Sequence, residues 1–236
     1  MLKLKIESLT KCFEDKKVLD NINFTFEKGK IYGLLGRNGA GKTTFFNCIN
    51  EDIDINNGRI YIEDNDISRN LLNDDIGYVL STPVVPEFLT GREFLKFFID
   101  INKNKIKDLK TIDEYFEFLK INIDDRDKVM KEYSHGMKNK MQMLVNIIAN
   151  PNIILLDEPL TSFDIVVADE MKKMLKEIKS SHILIFSTHI LELATDLCDE
   201  IVILNNGQLE LIEKDILDNE HFKEKIISCL RGDESV

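Results

Sequence analysis

Hydrophobic and polar positions alternate at the start of the chain. Leu2, Leu4 and Ile6 are separated by charged residues, and Ile22, Phe24 and Phe26 repeat the pattern just before Gly29. Ile60 and Ile62 do so again after Asn57-Gly58, which reads as a turn. This period of two predicts half-buried antiparallel strands. A second pattern follows. Ile31–Leu35, Ile76–Leu80, Ile153–Leu156 and Ile183–Phe186 are short continuous apolar runs, the mark of strands covered on both faces in a parallel sheet. Ile201–Leu204 and Gln208–Ile212 flank Asn206-Gly207, a strong hairpin signal.

Helical spacing fills much of the remainder. Val167, Met171, Met174, Leu175 and Ile178 form one face, and Ile112, Tyr115, Phe116 and Leu119 form another. Residues 84–150 contain no clear strand, so they read as a helical insertion. Its last helix carries Met137, Met141, Leu144, Val145 and Ile148 on one side, behind Ser134 as N-cap. Gly136 falls in the first turn, where glycine costs about 1 kcal/mol relative to alanine. An amide with no side chain in front of it lets another group approach closely. The pattern as a whole predicts an α/β fold with a mostly parallel sheet, an N-terminal antiparallel β-subdomain and a helical insertion. We expect a single domain over 1–236, with the core and β-subdomain in 1–81 and 151–212, the helical subdomain in 82–150 and a tail at 213–236.

Composition narrows the classes. The chain has 236 residues, 43% hydrophobic and 31% charged, as expected for a soluble globular protein. A net charge of −11 argues against a nucleic-acid surface. No apolar run approaches the roughly 18–20 residues that span a bilayer, and the first residues carry no secretory segment. Cys12, Cys48, Cys198 and Cys229 lack metal-ligand spacing and read as buried free thiols of a cytoplasmic protein.

The chemistry concentrates in three places. Gly36-Arg37-Asn38-Gly39-Ala40-Gly41-Lys42-Thr43 fits G-x-x-x-x-G-K-[ST], follows a buried strand and precedes a helix, the context of a phosphate loop. Its glycines let backbone amides face phosphates, and the helix start adds positive potential. Lys42 would reach the β- and γ-phosphates, and the Thr43 hydroxyl, with Thr44 beside it, would face the nucleotide and its Mg²⁺. Asp157 and Glu158 end a buried strand, at the edge where such sheets bind ligands. There Asp157 can hold Mg²⁺ through water and Glu158 can polarise an attacking water. His189 closes another strand at the same edge; it is either a structural histidine or a donor to the γ-phosphate.

Together these motifs resemble the ATP-binding subunit of an ABC transporter over about residues 1–212, and the fold implied is the ABC ATPase fold with a RecA-like P-loop core. In that resemblance Gly36–Thr43 is the Walker A motif and Ile153–Glu158 the Walker B. Thr161-Ser162-Phe163-Asp164 is similar to the D-loop and His189 to the switch histidine. Phe13 matches the aromatic that stacks on adenine, with core packing as the alternative. Tyr133-Ser134-His135-Gly136-Met137 occupies the position of the signature usually written Leu-Ser-Gly-Gly-Gln. The resemblance implies that the signature of one subunit closes over ATP held by the phosphate loop of another. The group approaching Ser134 and Gly136 is then a γ-phosphate. His135 replaces the usual glycine and either adds a donor or packs. The Ser-x-Gly-Met-Lys form resembles the subgroup that exports drugs and antimicrobial peptides.

One position departs from the family pattern. Ile76–Ser81 resembles the Q-loop, but Ser81 stands where a glutamine usually contacts Mg²⁺, and serine needs a bridging water to do so. The implied function is ATP hydrolysis powering a separate transmembrane permease, from a head-to-tail dimer with a second copy or a homologous ATPase subunit. The chain would then sit on the cytoplasmic face of the cell membrane. Of the clustered Phe88, Leu89, Phe94, Leu95, Phe97 and Phe98, some should line an exposed groove for the permease. The alternatives are weaker. A GTPase would carry an [NT]-Lys-x-Asp motif, which is absent, and a small-molecule kinase has no use for the signature stretch. A non-transport ABC ATPase of repair, translation or cofactor assembly remains open.

Overall fold

The structure, a computed structural model, describes residues 1–104, 106, 109–159 and 165–212. The alternating segments build an antiparallel sheet. β1 (Leu2–Phe13) pairs with β2 (Lys16–Glu27) on one side and β4 (Asn57–Asp64) on the other, and β5 (Ile67–Asn70) closes the edge, in the order β2-β1-β4-β5. The apolar runs build a second sheet from β3 (Ile31–Leu35), β6 (Ile76–Val79), β7 (Ile153–Asp157), β8 (Ile183–Thr188), β9 (Glu200–Asn205) and β10 (Gln208–Ile212), in the order β10-β9-β3-β8-β7-β6. All neighbours in it are parallel except β9 and β10. Asn206 and Gly207, both at positive φ (48° and 78°), make the tight β9–β10 turn, as their sequence predicts.

The continuous apolar runs are explained by two cores. Because side chains alternate across a strand, Ile154, Leu156, Leu184 and Phe186 face one side of the parallel sheet, and Ile153, Leu155, Ile183 and Ile185 face the other. The second set meets Phe45 and Phe46 of α1 (Lys42–Ile49) and Leu4, Ile6 and Phe26 of the antiparallel sheet. The first set meets the helical side: α2 (Gly91–Asn102), α3 (Ile112–Phe118), α4 (His135–Ile148), α5 (Ile165–Ile178) and α6 (Leu191–Leu197). On α4 the Met141, Leu144 and Ile148 side chains are buried, whereas Met137 and Val145 are half-buried at the edges of that face. Ser134 caps α4, its Oγ accepting from Met137 N at 3.2 Å.

Two expectations change. Asn57-Gly58 is no turn: both residues lie in β4, beside a register shift in the β1–β4 ladder. Gly58 has φ +94°, and a Cβ there would stand 2.4 Å from the Glu7 carbonyl oxygen, so the glycine serves a close backbone approach within the sheet. Cys12 is only half-buried, because it sits near the end of β1, whereas Cys48 and Cys198 are buried; Cys229 lies outside the described residues. The β5 strand has no counterpart in the sequence pattern. The D-loop-like segment 161–164 and the tail 213–236 also lie outside the described residues.

Candidate nucleotide-binding site

The carboxyl ends of β3, β7 and β8 come together because these strands are neighbours in one sheet. From β3 the chain passes through the loop 36–41 into α1. Gly41 has φ +106°, and a Cβ there would lie 2.9 Å from Val18 Cγ1, so both conformation and space demand glycine at this position. Lys42 then opens α1 with only 6% of its surface exposed. Its Nζ donates to the Gly36 carbonyl at 2.7 Å and the Arg37 carbonyl at 3.3 Å, and stands 3.3 Å from Glu158 Oε1.

The acidic edge is held by a relay of hydroxyl groups. Thr43 Oγ1 donates to Asp157 Oδ2 at 2.8 Å, and Ser187 Oγ donates to Asp157 Oδ1 at 2.6 Å. The same Ser187 Oγ accepts from Glu158 N at 2.9 Å. Glu158 takes a left-handed backbone conformation, φ 47°, which is uncommon for a non-glycine residue and clusters at functional sites. Its Oε2 lies 3.0 Å from His189 Nδ1. Nearby, burial first and then the Asp157 carboxylate push the Tyr78 phenol above its ordinary value, so it stays a neutral donor to Asn47 Oδ1. His182, at the opposite end of β8, is held below the usual imidazole range by burial, with its Nδ1 2.6 Å from the Pro151 carbonyl.

Lys42, Thr43, Asp157 and Glu158 border a cleft of about 730 Å³. Asn38, Gly39, Gly41, Lys42, Thr43 and Thr44 line it from the loop and the start of α1, and Asp157 and Glu158 from the end of β7. Phe13, 46% exposed, borders it as well; the ring is on the surface and not in the core. Ser81, exposed, lies on the same cleft. Gly36, Arg37 and Ala40 shape the loop without lining it, and His189 adjoins it through Glu158. The structure does not bring Ser134 and Gly136 to this cleft within one chain; of the signature-like stretch only His135 borders it. Ser187, which bridges the Asp157 carboxylate and the Glu158 amide, is a neighbour of the site that the sequence pattern does not single out.

Comparison with known proteins is consistent with this geometry. A family model described as ABC transporter matches residues 19–161. The chain belongs to the ABC transporter family. It is 38% identical to an uncharacterized ABC transporter ATP-binding protein of Methanocaldococcus jannaschii, over 87% of this chain and 75% of that one. It is 28% identical to the lantibiotic transport ATP-binding protein SrtF of Streptococcus pyogenes, over 94% of both chains. Among solved structures it resembles an ATP binding subunit of an ABC transporter with a TM-score of 0.77 at 24% identity, covering 97% of this chain and 94% of that one. A dimeric ATP-binding cassette bound to ADP and Pi aligns with a TM-score of 0.72 at 20% identity, over 89% of this chain and 99% of the other. These structural likenesses establish the ABC ATPase fold. As a family member this chain is an ATP-binding, ATP-hydrolysing cassette.

Proposed function

We propose that this cassette works as a head-to-tail dimer on the cytoplasmic face of a membrane and drives export through a separate transmembrane permease. Among the described residues no helix is long and apolar enough to cross a membrane. The single observation that carries the coupling is an exposed apolar group on the helical side. Phe88 is 81% exposed, and Phe97 and Ile101, one turn apart on α2, are 58% and 63% exposed. Leu95 is fully buried and Phe94 and Phe98 pack against the core, so the six clustered apolar residues divide into core and surface. Exposed aromatics of this kind suit a short amphipathic helix of a partner. The named antibiotic-transport relatives, the lantibiotic protein and a bacitracin transport ATP-binding protein of Enterococcus faecalis, favour an antimicrobial-peptide-type substrate. Co-expression with the cognate multi-span subunit tests the coupling. Phe88→Ser with Phe97→Ser should leave ATPase of the isolated chain within about twofold and abolish recovery of the chain with that membrane subunit. Undiminished recovery would exclude this surface.

Within the cleft we assign nucleotide contact to the loop 36–43 with Thr44, adenine stacking to Phe13, and the general base to Glu158 with His189 beside it. Ser134 and Gly136 serve the nucleotide of the partner copy. The oxygen-rich set Thr43, Asp157 and Ser81 suits a hard cation such as Mg²⁺, which would neutralise charge on the phosphates. Ser81 is exposed and short, so a water is the natural bridge, and a water-mediated contact is nearly as favourable as a direct one. Ser81→Ala is therefore expected to change ATP affinity little and to slow steady-state hydrolysis less than about tenfold. A hundredfold loss would make Ser81 a direct ligand.

A further inference from the structure

Phe13 is the last residue of β1, and Glu14 after it turns the chain at φ 51°. The ring therefore stands at the end of the β1–β2 hairpin, exposed and bordering the nucleotide cleft. An exposed ring samples several rotamers unless a neighbour restrains it. Lys11 supplies that restraint: its Nζ lies over the Phe13 ring, 4.8 Å from the centroid, within the range of a cation–π contact. Phe13 borders the cleft and Lys11 does not, which leaves ring surface free for a base. We propose that Lys11 is a positioning residue for the nucleotide base, holding the Phe13 ring in the orientation that stacks on adenine.

The ammonium is itself fixed. Lys11 Nζ donates to the Asp54 carbonyl at 2.6 Å. The segment carrying that carbonyl is tied to β1 on both sides of Lys11. Asn56 N donates to the Thr10 carbonyl at 2.9 Å, and Cys12 N donates to Asn56 Oδ1 at 2.7 Å. A carbonyl and a π face thus hold the charge in one place, where a lysine without them would keep its rotamer freedom. The cation also draws the ring's π density toward itself. The ring then presents a less negative surface to the purine, which eases face-on stacking between two π systems. The residues that anchor Lys11 follow α1 in the chain, and α1 opens with Lys42 and Thr43. One continuous piece of chain therefore connects the phosphate site to the base site.

This inference rests on the assignment of Phe13 to adenine. The test measures equilibrium binding of ATP and of inorganic tripolyphosphate, which lacks the base, to the full chain with Mg²⁺ present. Phe13→Ala should weaken ATP at least about fivefold, the lower end for a base stacked on an aromatic ring. Lys11→Met keeps the length of the side chain without its charge. It should weaken ATP about two- to fivefold and leave tripolyphosphate binding unchanged. Lys11→Arg, a cation of similar reach, should restore ATP binding. In a Phe13→Ala background Lys11→Met should add nothing, because the ring it acts through is gone. A general loss of structure or of positive charge would instead weaken both ligands and persist without the ring; either result overturns the inference. So does parent-like ATP binding by Lys11→Met where Phe13→Ala binds weakly. Parent-like ATP binding by Phe13→Ala overturns the adenine assignment itself, and the role of Lys11 falls with it.

Discussion

Lys42→Ala should lower ATP affinity by at least about a hundredfold and reduce hydrolysis below detection. The ammonium is almost fully buried and fixed by two loop carbonyls as well as Glu158. Its replacement removes a preorganised positive charge from the place where the phosphates bind. It also leaves Glu158 without that counter-charge, beside the buried Asp157, so the variant cleft presents two carboxylates to a polyanion. Truncating one partner of a desolvated, hydrogen-bonded charge pair in a complex typically costs about 2–5 kcal/mol of binding, and about 1.4 kcal/mol is a factor of ten, so a hundredfold loss falls in the lower half of that range. Equilibrium ATP binding at fixed ionic strength measures the effect. Thermal unfolding separates it from damage to the fold, because alanine is a good helix former at the start of α1. Affinity within threefold of the parent would remove Lys42 from the phosphate site.

The site was legible in the sequence where its logic is local. The phosphate loop declares itself because glycine spacing, a preceding apolar strand and a following helix all fall within one short stretch. Asp157 and Glu158 stand out because two acids end a run of aliphatic residues. Ser187 is different. Its hydroxyl matters only because β7 and β8 pair with Asp157 opposite Ser187, a register set by long-range packing. Likewise β5, whose four residues are all exposed, carries no amphipathic pattern and exists through its pairing with β4. Asn57-Gly58 misled for a related reason. A glycine at positive φ marks a turn or a close backbone approach, and only the neighbouring β1 decides between them. His135 was visible as a departure from the signature pattern, but its place on the cleft depends on how the helical side packs against the sheet.

Glu158→Gln should bind ATP at least as tightly as the parent and hydrolyse it about 10²–10⁴ times more slowly, the usual worth of a general base. The substitution keeps the size of the side chain and an oxygen able to face Lys42, and the backbone amide can still donate to Ser187 Oγ. What it removes is the capacity to accept a proton and one negative charge next to the phosphates. Losing the charge favours binding, and losing the base disfavours chemistry, so affinity and turnover should move in opposite directions. In the proposed cycle two copies close over ATP and hydrolysis releases them, so the variant should also elute as an ATP-dependent dimer on size exclusion. His189→Ala supplies the contrast: it removes the neighbour 3.0 Å from Oε2 but leaves the carboxylate. It should therefore slow hydrolysis less than Glu158→Gln does under single-turnover conditions, where product release does not limit the rate. If Glu158→Gln turned over at the parent rate, Glu158 would be only the counter-charge of Lys42, and the water-activating group would have to be sought elsewhere along the cleft.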